Sequence, residues 1–147
     1  MPPNNLRLAA MVAAIGTALL AISGIAIAGA PLERGRLEGR TAQGEQIVFH
    51  VAGGNLRLRH FTVRLRCRDD SVLIDRESDF QTTALGRNGS FRDDQAGGTD
   101  EVRFQGQLRG RAARGRLRVR DRLGRVRCDS RWVRFTARAG RPARLSL

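Results

Sequence analysis

Apolar and polar side chains alternate with a period of two along most of the chain after residue 35. The alternation is clearest over 47–52, 61–67, 102–109 and 113–120. A period of two is typical of strands that bury one face, and no segment after residue 30 carries a helical stripe of useful length. The pattern therefore predicts a single all-β domain of about seven to eight antiparallel strands, arranged as a β-sandwich or a flattened barrel.

Turns and phase changes divide the predicted strands. The alternation changes phase near Arg59-His60 and again near 130–132, and each slip predicts a bulge or a bend in a strand. Residues 79–100 are the least regular part of the domain. Turn signals rich in glycine and asparagine occur at 53–55, 88–90 and 96–99.

The first 30 residues have a different character. Arg7 is the only charged side chain before Glu33, and the stretch from residue 8 to residue 30 carries no charge. A basic start, an apolar stretch and the small residues Ala26 and Ala28 predict a signal peptide over 1–28, forming a helix and cleaved after Ala28. An uncleaved membrane anchor is the alternative, because about 20 apolar residues can span a bilayer. Both interpretations predict a secreted or cell-envelope protein.

The remainder of the chain is short enough for one domain. The full length is 147 residues, which leaves too little chain for two ordinary domains after a signal peptide. We expect a linker over 29–35, the β domain over 36–140 and a C-terminal tail over 141–147.

Export changes what is expected of Cys67 and Cys128, the two cysteines of the chain. In an oxidising compartment two cysteines usually pair, and both occupy the apolar phase of their strands. We predict a disulfide inside the fold, either between sheets or between neighbouring strands; two buried free thiols are the alternative. With only two cysteines and two histidines, the chain excludes a multi-cysteine zinc site and a histidine-based metal cluster. No cofactor is expected.

Positive charge is concentrated in the C-terminal third. All 27 basic residues are arginine, and the net charge is +13. Residues 109–144 hold 14 arginines and two acids, whereas residues 33–103 hold 12 of each. Strand alternation should place the arginines of one strand on one face, with Arg64, Arg66 and Arg68 doing the same elsewhere. The predicted binding residues are Arg114, Arg116, Arg118, Arg120, Arg122, Arg125 and Arg127.

A face of guanidinium groups suits anionic partners. Arginine forms two-point hydrogen bonds with phosphate and carboxylate groups, so anionic cell-wall polymers and lipid headgroups are the expected partners. Sequence-specific nucleic-acid binding is not favoured, because most of the few aromatic rings are predicted to lie in the core. The alternative is a solvated face that keeps the sheet soluble and blunts edge pairing.

Catalytic constellations are weaker. The acids Asp93, Asp94, Asp100 and Glu101 bracket a glycine-rich loop whose composition suits calcium, but their spacing matches no known calcium motif. His60, Ser71 and Asp70 could form a triad, although no nucleophile motif surrounds the serine. We therefore expect a non-catalytic binding or structural module, with a hydrolase or calcium-dependent enzyme using the acidic loops as the alternative.

Several short motifs recur in one loose group of proteins. They are Gly39-Arg40-Thr41-Ala42-Gln43-Gly44, Phe61-Thr62-Val63-Arg64-Leu65-Arg66-Cys67, Gly110-x-x-Ala113-x-Gly115, Cys128-Asp129-Ser130 and Val133-Arg134-Phe135-Thr136-Ala137-Arg138. From 39 to 138 the chain resembles small exported all-β, sandwich-like proteins of high-GC bacteria, a group with no assigned activity. The resemblance implies an architecture and no mechanism. Arg131 stands where the group pattern leads us to expect glycine.

Overall fold

The computed structural model describes residues 32–78 and 80–140. The predicted signal peptide over 1–28, with its helix, and the predicted tail over 141–147 lie outside these residues. The strands of the described part are β1 (Arg34–Thr41), β2 (Gln46–Ala52), β3 (Asn55–Cys67), β4 (Val72–Ser78), β5 (Thr82–Ala84), β6 (Ser90–Gly97), β7 (Asp100–Arg109), β8 (Ala112–Leu123), β9 (Val126–Asp129) and β10 (Val133–Ala139).

Six of these strands close into a ring in the order β10, β1, β2, β3, β9 and β8, with β8 pairing back onto β10. β7 and β6 continue the sheet outward from β8, while β4 and β5 both pair with β3. Every pairing is antiparallel. The first strand begins at Arg34, inside the segment expected to be a linker.

The all-β prediction is confirmed, but the described residues contain ten strands rather than seven or eight. The additional strands are β5 and β6, which lie in the region read as irregular. β5 has three residues, and β6 alternates one buried ring, Phe91, with polar residues. Strands of this kind carry little apolar periodicity. Residues 32–78 and 80–140 contain no helix, and hence no helical membrane span.

Phenylalanine side chains contact one another at the centre of the hydrophobic core. The Phe49 ring lies 5.1 Å from that of Phe135 and 6.1 Å from that of Phe91, measured between centroids. Gly106 and Gly115 face each other on β7 and β8 and leave room for these rings. A Cβ atom on Gly106 would lie 2.7 Å from Cζ of Phe91, and one on Gly115 would lie 2.8 Å from Cζ of Phe135. These glycines therefore permit the dense core packing on which such a small domain depends.

Both predicted phase slips are confirmed as breaks in strand regularity. Val48 pairs with His60 and Phe49 pairs with Leu58, so Arg59 is the extra residue of a bulge. The second slip separates β9 from β10 at residues 130–132. Each break returns the apolar side chains to the interior, which explains why the sequence changes phase there.

The predicted disulfide is present between neighbouring strands. Cys67 on β3 and Cys128 on β9 lie directly opposite each other, with 3.9 Å between their Cα atoms, and both are buried. β3 and β9 share only one further residue pair, Arg66 with Asp129. The disulfide thus reinforces the shortest seam of the closed ring.

Candidate functional site

Arginine side chains cover the outward face of β6, β7, β8, β9 and β10. In β8 the apolar residues from Ala113 to Val119 alternate inward, so the intervening arginines point outward, as predicted. Cross-strand pairing then determines the neighbours of each guanidinium. We call this face the arginine surface; its members are Arg92, Arg103, Arg114, Arg116, Arg118, Arg120, Arg122, Arg127 and Arg134.

The middle of the arginine surface is neutralised by acids. Arg118 donates two hydrogen bonds to Asp129, from Nε to Oδ1 at 3.0 Å and from Nη2 to Oδ2 at 2.5 Å. Burial favours a raised pKa for the Asp129 carboxyl, but the hydrogen bonds from Arg118 and the backbone of Arg131 outweigh it and lower the pKa. Arg120 lies 3.4 Å from Glu101 and 3.7 Å from Asp129. Two of the predicted binding residues are therefore engaged within the protein.

Charges alternate across the strands in this middle region. Glu101 on β7, Arg120 on β8, Asp129 on β9 and Arg66 on β3 form one cross-strand row. Opposite charges in directly paired positions stabilise a sheet. In this row each arginine therefore has an acid in a directly paired position.

The next row toward the β8–β9 turn has only positive charges. Arg122 and Arg127 lie directly opposite each other, and the backbone N–H of Arg68 donates to the carbonyl of Arg127 at 3.0 Å. None of the three has an acidic partner among the described residues. We call Arg68, Arg122 and Arg127 the end cluster. Arg125 lies beside it, exposed in the turn.

An open depression of about 1230 Å³ adjoins the end cluster. It brings the predicted Arg64–Arg66–Arg68 row together with the arginines of β8 and β9, because β9 lies between β3 and β8. Its lining includes the arginines 64, 66, 68, 120, 122, 127 and 131 and the acids Asp100, Glu101, Asp121 and Asp129. Basic residues thus outnumber acids around it.

A second cluster lies on the opposite side of the neutralised middle. Arg116 on β8 is directly opposite Arg134 on β10, and Gln105 on β7 stands between Arg116 and Arg92. The guanidinium of Arg116 lies 4.5 Å from the centroid of the Trp132 ring. We call Arg92, Arg116 and Arg134 the tryptophan-side cluster. Arg114 is in the adjacent row, opposite Gln107 and Thr136.

Sequence reasoning did not identify Arg92, Arg134 or Trp132 as site residues. Arg92 and Arg134 join Arg116 only through pairings between strands that are distant in sequence, so periodicity alone could not bring them together. Trp132 is 38% exposed, whereas all six phenylalanines are buried. Its place at the phase slip before β10 was the available signal that it points outward.

The acids singled out for calcium are divided between two faces. Asp93 and Asp100 face a cleft of about 800 Å³ between β4 and the β6–β7 hairpin, where Asp75 and Glu77 also lie. Asp94 also borders this cleft, but its carboxylate pairs with Arg103 on the other face at 3.0 Å, and Glu101 pairs with the same guanidinium. Strand alternation causes this division, since the acids lie in β6 and β7 rather than in a loop. Within the described residues, no group of three or more histidines, cysteines or acids has a metal-binding arrangement.

Carboxyl groups in and beside this cleft have raised pKa values. Burial raises the pKa of Glu77 to about 7, and the charges of Asp75, Asp100 and Asp121 add to the effect. Burial and a hydrogen bond with Asp100 raise the pKa of Asp121 to about 6. Burial raises the pKa of Asp75 as well. The cluster is therefore partly protonated near neutral pH.

The triad considered from the sequence is not assembled. Ser71 Oγ donates to Asp69 at 2.5 Å, within the turn that follows Cys67. His60 lies opposite Ser78, at the far end of the β3–β4 pairing from Arg66 and Val72. Six residues along a strand span about 20 Å, so the serine and histidine are too far apart for proton transfer.

Comparison with known proteins adds no further constraint. No protein-family model, curated protein or solved structure matches the chain. The placement of side chains in the described residues is therefore what bears on function.

Proposed function

We propose that the protein is an exported, non-catalytic binding module that engages anionic polymers at the cell envelope through the arginine surface. The observation that carries this proposal is the presence of two arginine pairs in directly opposed positions, Arg116 with Arg134 and Arg122 with Arg127. The four side chains have no acidic partner among the described residues.

Like charges that face each other across a ladder destabilise a sheet. The neighbouring row from Glu101 to Arg66 avoids this cost by alternating its charges. A polyanion lying over the two arginine pairs would supply the missing negative charge and release its own counterions. Binding would therefore offset a cost that the free protein carries.

The spacing of the clusters favours a polymer over a small anion. Arg116 and Arg122 are six residues apart on β8, a separation of about 20 Å along a strand. One small anion cannot reach both clusters, whereas a chain of repeated negative groups can. Contacts at both ends of the surface would raise affinity through effective concentration.

An extracytoplasmic setting supports this choice of ligand. The charge-free stretch after Arg7 has the pattern of a signal peptide, and the Cys67–Cys128 disulfide is typical of oxidising compartments. Anionic wall polymers and lipid headgroups are the polyanions that such a protein would meet.

Retention on immobilised dextran sulfate, a model polyanion, tests the proposal. We expect Arg116→Gln/Arg134→Gln and Arg122→Gln/Arg127→Gln each to weaken retention more than the control Arg36→Gln/Arg76→Gln. The control removes the same charge from β1 and β4, away from both clusters. Equal losses in all three variants would show that net charge alone governs binding and would overturn the proposal.

A further inference from the structure

Arg116 is held in place before any ligand arrives. In the Gln105 amide orientation that satisfies both side chains, Oε1 accepts hydrogen bonds from Arg116 Nη2 at 2.9 Å and Nε at 3.0 Å. The Trp132 ring lies 4.5 Å from the same guanidinium. These contacts leave Nη1 as its least engaged nitrogen. Fixing a donor in this way lowers the entropy cost of binding an anion.

Arg134 faces this prepared guanidinium. The two residues are directly paired, so their Cβ atoms are about 5 Å apart. Arg92 lies on the same row beyond Gln105. A shallow depression of about 520 Å³ between these side chains is lined by Phe91, Arg92, Gln105, Gly106, Gly115, Arg116 and Arg134. Its lining contains three cations and no acid.

We propose that this depression is a subsite for a phosphate monoester, with Arg116 and Arg134 as its two principal donors and Arg92 as a third. The proposal rests on the proposed function, because the subsite belongs to the arginine surface. A phosphate monoester carries close to two negative charges and three terminal oxygens at neutral pH. A carboxylate or a phosphodiester offers two such oxygens and one charge, so it compensates three guanidinium groups less well.

Trp132 is linked to this subsite through its contact with Arg116. It is the single tryptophan of a chain without tyrosine, so intrinsic fluorescence excited at the indole band arises from its ring alone. A ligand that draws on the Arg116 guanidinium would change the cation–π contact and therefore the emission.

The experiment is a fluorescence titration of the full chain with inorganic phosphate, with ionic strength held constant by sodium chloride. We expect a saturable change in emission and a loss of affinity of about tenfold in Arg134→Gln, which leaves the Arg116–Trp132 contact intact. Arg76→Gln is the matched control, because it removes one charge from β4, away from both clusters, and it should titrate like the wild type. Isothermal calorimetry of the same solutions supplies a second readout.

Three comparison ligands identify the chemistry and its source. Dimethyl phosphate should produce a weaker response than phosphate at the same concentration; an equal response would overturn the assignment to a monoester. Glycerol 3-phosphate represents a soluble or polymer-borne phosphate monoester, and vesicles containing phosphatidic acid represent a lipid headgroup; the tighter binder of the two identifies the source. Arg134→Gln should weaken binding to both ligands.

The subsite and the proposed function fail separately. If phosphate changes the emission no more than chloride does, while retention on dextran sulfate still depends on the two arginine pairs, the phosphate subsite alone is overturned. If phosphate gives no specific response and retention does not depend on the arginine pairs either, the subsite and the proposed function are both overturned.

Discussion

Cys67 lies directly opposite Cys128 at the seam where β3 meets β9, and the two strands share only one other residue pair. The remaining seams of the closed ring are longer, with five residue pairs between β1 and β10 and six between β8 and β10. The disulfide therefore lies at the point where hydrogen bonding alone holds the ring least firmly.

Reduction of the disulfide should lower the free energy of unfolding substantially. The two cysteines are 61 residues apart, and the loop-entropy model gives about 4 kcal/mol for a crosslink of this span. Urea denaturation with and without reductant measures the change, and Cys67→Ser/Cys128→Ser, in which reductant should have no effect, is the control. An unchanged midpoint in the reduced wild type would contradict the role given to this seam.

Arg131→Gly should stabilise the protein by about 1 kcal/mol. Arg131 has a φ of 58°, in the left-handed region that favours glycine, and its N–H donates to Asp129 Oδ1 at 2.7 Å. Its position is where the sequence pattern led us to expect glycine. Arg131→Ala, which removes the same charge but keeps the backbone strain, is the matched control in thermal unfolding. If alanine stabilises as much as glycine, the effect comes from charge and not from the backbone.

Stability should fall as the pH rises from about 4.5 to about 7. Burial raises the pKa of Glu77 to about 7, so the folded state binds a proton that the unfolded chain has lost. Stability from such a group is present below its unfolded pKa and is lost as the pH rises through the folded pKa. Glu77→Gln should flatten this dependence and stabilise the protein at pH 7.5 by roughly 1 kcal/mol, after allowance for solvent screening of a half-exposed group. Denaturation at several pH values measures it; a profile unaffected by the substitution would exclude Glu77 as its source.

Expression in a bacterial host with an export pathway should yield a mature chain that begins at Gly29. The prediction follows from the small residues Ala26 and Ala28 at the end of the charge-free stretch. Intact mass and N-terminal sequencing of the exported protein measure the cleavage point. Recovery of the full-length chain in the membrane fraction would favour the anchor instead.

Local sequence patterns predicted most of the strands but not all ten. Alternation identified the buried face of β7 and β8, and phase changes located the Arg59 bulge and the break before Val133. β5 and β6 were missed because they combine few apolar residues with many polar ones. Hydrogen bonding to β3 and β7, and not burial, makes these segments strands.

The arrangement of the site depends on which strands are neighbours, and that information is not local. Periodicity placed Arg118 and Arg122 on one face, yet the first faces Asp129 and the second faces Arg127. Both partners lie on β9, where outward positions two residues apart hold an acid and an arginine, so the register between β8 and β9 decides which of them each arginine meets. Arg134 likewise lies beside Arg116 only because β10 pairs with β8.

The dependence of binding on salt tests the arginine surface most directly. Affinity for dextran sulfate should be measured over a range of sodium chloride concentrations for the wild type and for one variant that combines the four substitutions Arg116→Gln, Arg122→Gln, Arg127→Gln and Arg134→Gln. We expect a straight line of log affinity against log salt for the wild type, and a slope shallower by roughly three to four units in the variant, because each lost contact releases about one counterion fewer. A wild-type affinity that ignores ionic strength, or a variant slope equal to that of the wild type, would contradict the proposed role of this surface.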